Sequence, residues 1–232
     1  MKKVSDPALA TIILAAGKGT RMKSDAPKVI HKLAGLPMVT RVVRLSEAIG
    51  SVKTVVIIGY KYQMVMDALV DEKVEYAIQK DQLGTGHAVE QARDNLKNFN
   101  GNVLILSGDV PLLSKSTLLN LLYTHSRSEA DATILSADVD DPTGYGRVIR
   151  QTDNTLDKIV EHKDASDAQR LISEINAGIY IINSETLFEL LPKVKNKNAQ
   201  QEYYLPDVLP MILSKKGKVS IEKTENSHEI LG

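Results

Sequence analysis

Two kinds of apolar run alternate along this chain. Continuous apolar stretches at 11–16, 54–58, 103–106 and 132–137 predict strands buried on both faces, with Gly59 stopping the second. A shorter candidate lies at 74–79. Between them fall stretches with helical spacing: Val39, Val42, Val43, Ala48 and Ile49 within 38–49, an amphipathic run at 63–70, and a patterned run at 86–96. Ser114 is placed to cap a helix reaching residue 126. The second half is more mixed. Strands are predicted at 148–150, 156–160, 179–182 and 219–222, and helices at 185–191 and 204–214. This alternation predicts an α/β fold of three layers, a doubly wound and mostly parallel sheet. No long linker or repeat interrupts it, so residues 1–232 are expected to form one domain. The second half would complete the sheet and supply the acceptor side of a cleft.

Composition removes several alternatives. Charges balance at 29 Lys+Arg against 29 Asp+Glu, so no global basic field argues for nucleic acid. Trp is absent and aromatics are 4%, which disfavours a stacking platform for single strands. Without cysteine there is no disulfide framework and no thiol chemistry. No run approaches the roughly 20 apolar residues of a membrane helix, and residues 1–7 lack a secretory stretch. The expectation is a soluble cytoplasmic protein without membrane or nucleic-acid partners.

The chemistry begins where the first strand feeds Gly17-Lys18-Gly19-Thr20-Arg21. Glycines let backbone N–H groups approach a phosphate, and Lys and Arg supply charge. A P-loop is excluded because Ile12 stands where its first glycine belongs. A dinucleotide fingerprint is excluded because Met22 occupies its third glycine position. An anion-binding loop with Lys18, Arg21 and Lys28 nearby remains, against a plain Gly-rich turn with solvated charges. Further on, Gln79 falls at a strand end ahead of Gly84-Thr85-Gly86-His87, and its amide suits the edge of a pyrimidine. His87 reads as structural and stays outside the site. Asp109 follows a buried strand in Ser107-Gly108-Asp109-Val110-Pro111, where its carboxylate suits Mg²⁺ with substrate phosphates, or caps a turn. Glu161 and Asn176 are polar residues at element ends, fit for sugar hydroxyls or for plain solvent. No Ser/His/Asp or Cys/His arrangement has interpretable spacing, so a nucleophilic hydrolase is not indicated.

Five ordered motifs carry a family resemblance. They are Leu14 to Met22 with Pro27-Lys28-Val29, Gln82-Leu83-Gly84-Thr85-Gly86-His87, Gly108-Asp109-Val110-Pro111, Tyr145-Gly146-Arg147 with Glu161-His162-Lys163-Asp164, and Asn198-Ala199-Gln200 with Glu202-Tyr203-Tyr204. Together they resemble the uridylyltransferase domain of the bacterial bifunctional N-acetylglucosamine-1-phosphate uridyltransferase and glucosamine-1-phosphate acetyltransferase family. The resemblance implies a Rossmann-like fold of the nucleotide-diphospho-sugar transferase type. It implies transfer of UMP from UTP to N-acetylglucosamine 1-phosphate with Mg²⁺, toward peptidoglycan and lipopolysaccharide precursors. Leu14, Ala15, Ala16 and Gly17 would line the uridine and phosphate end, and Lys28 and Arg21 would hold phosphates. Gln79, Gly84 and Thr85 would read uracil, Ser107 and Gly108 would flank the site, and Asp109 would bind the metal. Gly146, Glu161 and Asn176 would hold the sugar.

The chain departs from the family pattern at Ser107 (often Tyr), Ala177 (Thr) and Pro206 (often Thr). The family continues past the equivalent of Gly232 to an Asn that is its second metal ligand, then to a left-handed β-helix acetyltransferase domain. This chain is therefore expected to be a fragment without acetyltransferase activity. The family trimerises through that second domain, so the fragment alone is expected to be able to stand as a monomer. Rival readings are a nucleotidyltransferase for another base or sugar phosphate, and an inactive fragment that only binds ligand.

Overall fold

The computed structural model describes residues 7–19, 22 and 24–231. In chain order its strands are β1 (Leu9–Leu14), β2 (Lys32–Leu33), β3 (Leu36–Pro37), β4 (Lys53–Ile58), β5 (Glu75–Ile78), β6 (Asn102–Ser107), β7 (Ala132–Asp138), β8 (Arg147–Arg150), β9 (Leu156–Val160), β10 (Glu174–Asn183) and β11 (Val219–Lys223). The helices are α1 (Met38–Ala48), α2 (Tyr62–Ala68), α3 (Thr85–Glu90), α4 (Arg93–Leu96), α5 (Lys115–Ser128), α6 (Asp167–Arg170), α7 (Ser184–Leu190) and α8 (Val208–Ser214).

The main sheet runs β5-β4-β1-β6-β10-β7-β11, with β8 paired to β10 and β9 to β8. β1 pairs in parallel with both β4 and β6, β4 with β5, and β7 with β11. β10 is antiparallel to β6 on one side and to β7 on the other. The mostly parallel sheet that the apolar runs predict is thus present, with one reversed strand near its middle.

Alternation within the strands splits the core in two. Ile12, Val55, Val103, Ile134 and Ile182 point to one face, where they meet Val89 of α3, Leu187 of α7 and Leu209 of α8. Ile13, Val56, Leu104, Leu135 and Ile181 point to the other, against Val42 of α1, Val65 of α2 and Leu121 of α5. Both faces of β1 and β6 are therefore dry, which is why those strands read as unbroken apolar runs.

Several boundaries differ from expectation for local reasons. The run at 86–96 divides into α3 and α4, and at the break Arg93 turns to donate to the Phe188 carbonyl at 2.6 Å. The run at 204–214 opens as a 3-10 turn over Leu205–Asp207, with Pro206 in its first turn, before α8. Residues 174–178, expected to precede a strand, lie inside β10. Their polar side chains hide the strand pattern because they are satisfied internally. Glu174 pairs with Arg150 at 2.6 Å and accepts from Ser136 at 2.7 Å. Among the described residues no helix is long and apolar enough to cross a membrane.

Helix α5 starts as predicted: Ser114 Oγ accepts the Thr117 N–H at 3.2 Å. Near its end His125 is buried, with Nδ1 2.9 Å from Thr133 Oγ1. Burial, opposed only in part by Asp131, pulls its pKa from 6.5 to about 4. Below pH 6.5 the unfolded chain takes up a proton that the folded chain refuses. Stability should therefore fall as pH drops from 6.5 toward 4. Thermal melts across that range should show a shallower acid slope for His125→Gln than for the parent. Equal slopes would mean His125 does not contribute.

Candidate active site

The parallel strands deliver their carboxyl ends to one edge. β1 ends beside β6 with Leu14 opposite Ser107, and β5 ends at Ile78, opposite Ile58 of β4. Ala15 to Gly17, Gly108-Asp109 and Gln79 leave the sheet there, around a cavity of about 640 Å³. Loops at this edge are the usual ligand crevice of such sheets.

Of the residues singled out in the sequence, Leu14, Ala15, Ala16, Gly17, Lys28, Gln79, Gly84, Thr85, Ser107 and Asp109 line this cavity. Gly108 does not. Its N–H donates to the Leu14 carbonyl at 2.9 Å and so fixes the turn into Asp109. Arg21, the second expected phosphate ligand, lies outside the described residues. Gly146, Glu161 and Asn176 do not line the cavity.

The charged centre is an ion pair. Lys28 Nζ lies 2.7 Å from Asp109 Oδ2, and Ser107 Oγ donates to Asp109 Oδ1 at 2.6 Å. The two charged side chains are 18% and 25% exposed. Burial pushes the Asp109 carboxyl up, but the hydrogen bonds from Lys28 and Ser107 outweigh it and hold the pKa below its ordinary value. Lys28 opens a short 3-10 turn after Pro27. Its stem packs against Gly19 so closely that a Cβ there would sit 2.5 Å from Lys28 Cβ. Gly19 also has φ +61°, which favours glycine.

A second group of contacts shapes the rest of the cavity. Gln79 is buried, and its Nε2 donates to the Gly84 carbonyl at 3.1 Å and reaches His87 Nδ1 at 3.1 Å. In the His87 tautomer whose Nδ1 carries no hydrogen, both amide hydrogens are engaged and Oε1 remains as the acceptor. His87, set aside in the sequence reading, is what orients this amide. Gln82, which that reading missed as a site residue, donates from Nε2 to the Ala16 carbonyl at 2.7 Å and ties this loop to the first one. Glu202 also lines the cavity. Its neighbour Tyr203 clamps the glycine loop, donating to Leu83 O at 2.7 Å and accepting from the Gly86 N–H at 2.7 Å. The only sequence signal for these contacts is the recurrence of polar and glycine residues at 79–87 and 198–204.

Gly146, Glu161 and Asn176 form a cluster of their own. The Asn176 N–H donates to Gly146 O at 2.9 Å, and its Nδ2 donates to the Tyr180 hydroxyl at 2.6 Å. A Cβ on Gly146 would sit 3.2 Å from Glu161 Oε1. Buried Arg147 latches the turn by donating to the carbonyls of Tyr145 and Arg170. Burial, then Asp164, Asp207 and Glu202, raise the Glu161 pKa. Of these acidic groups, Glu202 also lines the cavity.

Among the described residues no group of three or more His, Cys, Asp or Glu could hold a metal ion. The cavity offers the Asp109 carboxylate, a hard oxygen donor. That fits Mg²⁺, which keeps several waters and binds through one or two carboxylates plus substrate phosphates.

Two substitutions probe this geometry. Gly84 has φ +107°, and a Cβ there would lie 2.7 Å from Tyr203 O. Gly84→Ala should lower stability by ~1–3 kcal/mol in denaturant unfolding, because neither the backbone conformation nor the space suits a side chain. Glu161 works in the opposite sense. Its raised pKa means the folded state disfavours the ionised form, so stability is lost as pH rises through that pKa. Glu161→Gln should raise the melting temperature at pH 7 and leave it unchanged below pH 4. A lowered melting temperature at pH 7 would contradict this.

Comparison with known proteins agrees with the geometry. Residues 10–226 match the sequence model of the family described as nucleotidyl transferase. The bifunctional protein GlmU of Staphylococcus carnosus is 48% identical over 221 residues, which is 95% of this chain and 48% of that protein. The bifunctional protein GlmU of Streptococcus mutans is 46% identical over 221 residues, again 95% of this chain and 48% of that protein. The chain thus spans about half the length of the curated relatives it matches. A crystal structure of UDP-glucose pyrophosphorylase complexed with UDP-glucose superposes with a TM-score of 0.75 over 94% of this chain and 91% of that one. At 16% identity that likeness shows a shared fold. On the family match and the fold together, this chain belongs to the nucleotidyl transferase family.

Proposed function

We propose that this chain joins UTP and N-acetylglucosamine 1-phosphate to give UDP-N-acetylglucosamine and pyrophosphate, a step toward peptidoglycan and lipopolysaccharide precursors. The observation that carries this reading is one cavity holding both the Lys28–Asp109 pair and a buried glutamine amide. The five ordered motifs and the 46–48% identity to proteins named bifunctional protein GlmU support the choice of substrates. Residues 1–232 act as one uridylyltransferase domain, and the setting is the cytoplasm.

The acceptor brings its own nucleophile, a phosphate oxygen already ionised at neutral pH. That oxygen attacks the α-phosphorus of UTP, a new P–O bond forms, and the α–β bridging bond breaks. Pyrophosphate leaves with the bonding pair. No proton need be removed, so catalysis is positioning and charge neutralisation. Lys28 meets the negative charge that builds on the phosphates, with Arg21 as its expected partner. Mg²⁺, when bound, spreads that charge further, and Asp109 is the residue that would hold it.

Gln79 accounts for the base. With both N–H groups spent on Gly84 and His87, its remaining Oε1 accepts a hydrogen bond. Uracil presents N3–H as a donor, whereas cytosine presents a lone pair at that position. Gly84 and Thr85 complete the base-reading wall, Leu14, Ala15, Ala16, Gly17 and Ser107 line the uridine and phosphate end, and Gly108 sets the turn between Ser107 and Asp109. Gly146, Glu161 and Asn176 hold the N-acetylglucosamine portion, Glu161 as an acceptor from a sugar hydroxyl.

Pyrophosphate release measured across four NTPs and several sugar 1-phosphates, with and without Mg²⁺, tests this. UTP with N-acetylglucosamine 1-phosphate should stand out, and only with the metal. Asp109→Asn should lower turnover by roughly 10²–10³-fold with the fold intact by circular dichroism. Preference for another pair would overturn the substrate assignment. Full metal-dependent activity in Asp109→Asn would overturn the role of Asp109.

A further inference from the structure

We propose that Lys28 and a divalent cation compete for the Asp109 carboxylate, so that the cation enters with the nucleotide and not before it. The inference rests on the reading that Asp109 is the metal-holding residue. It concerns the order in which this chain's own groups become available.

Each Asp109 oxygen already has a partner. Oδ2 is taken by Lys28 Nζ at 2.7 Å and Oδ1 by the Ser107 hydroxyl at 2.6 Å. A hard cation bound to this carboxylate at ~2.1 Å would stand within a few ångströms of the ammonium, in a site that water only partly screens. Two positive centres cannot share one carboxylate there at low cost. The Lys28 backbone and Cβ are fixed beside Gly19, so only the outer part of the side chain can move. What it can do is turn its ammonium from Asp109 into the cavity that both residues line. Triphosphate oxygens in that cavity offer the lysine a stronger anionic partner than one carboxylate. Lysine suits such a role, since its ammonium is a point charge on a flexible stem without a fixed fork geometry. Ser107 completes the arrangement. Its short side chain satisfies the second carboxylate oxygen, and a single χ1 rotation frees that oxygen again.

The test is a Mn²⁺ titration of the 232-residue chain without nucleotide, followed by water-proton relaxation. The parent and Asp109→Asn should bind Mn²⁺ equally weakly. Lys28→Met should bind it at least about tenfold more tightly, because one neighbouring like charge is gone. The double substitution Lys28→Met/Asp109→Asn should lose that gain. Lys28→Arg, which keeps the charge, should stay as weak as the parent. Lys28→Gln repeats the measurement should Lys28→Met fail to fold by circular dichroism. A parent that binds Mn²⁺ ten times more tightly than Asp109→Asn would overturn the proposal, as would no gain in Lys28→Met and Lys28→Gln. Since no UTP or sugar phosphate is present, failure of the uridylyl-transfer reading would leave this result standing, and the reverse also holds.

Discussion

The structure depends on β10. This strand is hydrogen-bonded to β6 on one side and β7 on the other, and it runs against both. Its reversal brings the start of the strand, not its end, to the edge where β1, β5 and β6 finish. Asn176 therefore arrives at the same edge as Gln79 and Asp109, although it precedes most of its own strand. Without that reversal the cluster of Gly146, Glu161 and Asn176 would hang from the opposite edge. The register also shifts between Asn176 and Tyr180 in the pairing with β7, and Gly178 takes φ +71° within that shift. The irregularity sits where Asn176 folds back to reach the Tyr180 hydroxyl.

A parallel sheet buried on both faces leaves only its edges for chemistry, and here the carboxyl edge is crowded with opposing demands. Asp109 is kept ionised by two hydrogen bonds against the pull of burial. Glu161 lies among acidic neighbours and is pushed the other way. Two carboxylates on one edge thus have opposite electrostatic settings, and each setting follows from its neighbours. A lysine and a serine surround the first, while Asp164, Asp207 and Glu202 surround the second. The first environment suits a group that meets cations. The second suits a group that accepts a hydrogen bond from an uncharged donor.

Much of this was legible in the chain itself. The apolar runs of β1, β4, β6 and β7 are two-face strands, and such strands announce themselves because apolar residues fall on consecutive positions instead of alternate ones. The first loop and the Asp after β6 were legible for the same reason, since a conspicuous strand fixes where its loop begins. Less visible were β10 before residue 179 and the short α6. In β10 the polar residues Glu174 and Asn176 are satisfied by Arg150, Ser136 and Tyr180, partners far off or reached only through the fold. Position alone gives His87 a structural reading, and its contact with Gln79 ties it to the cavity wall in a way that no spacing rule reveals.

The amino-acid sequence by itself determined the fold class, the family and the list of groups with chemical capacity, because apolar periodicity and residue type are local properties. Tertiary structure alone decided which of those groups meet. Lys28 and Asp109 are 81 positions apart, and they come within 2.7 Å because the parallel pairing of β1 with β6 brings the roots of their loops together and the turn at Lys28–Ile30 folds back over them. The same holds for Gln82 and the Ala16 carbonyl, 66 positions apart. Distances across a sheet depend on register, and register is set by the burial of both faces at once, a constraint that no single stretch of sequence contains.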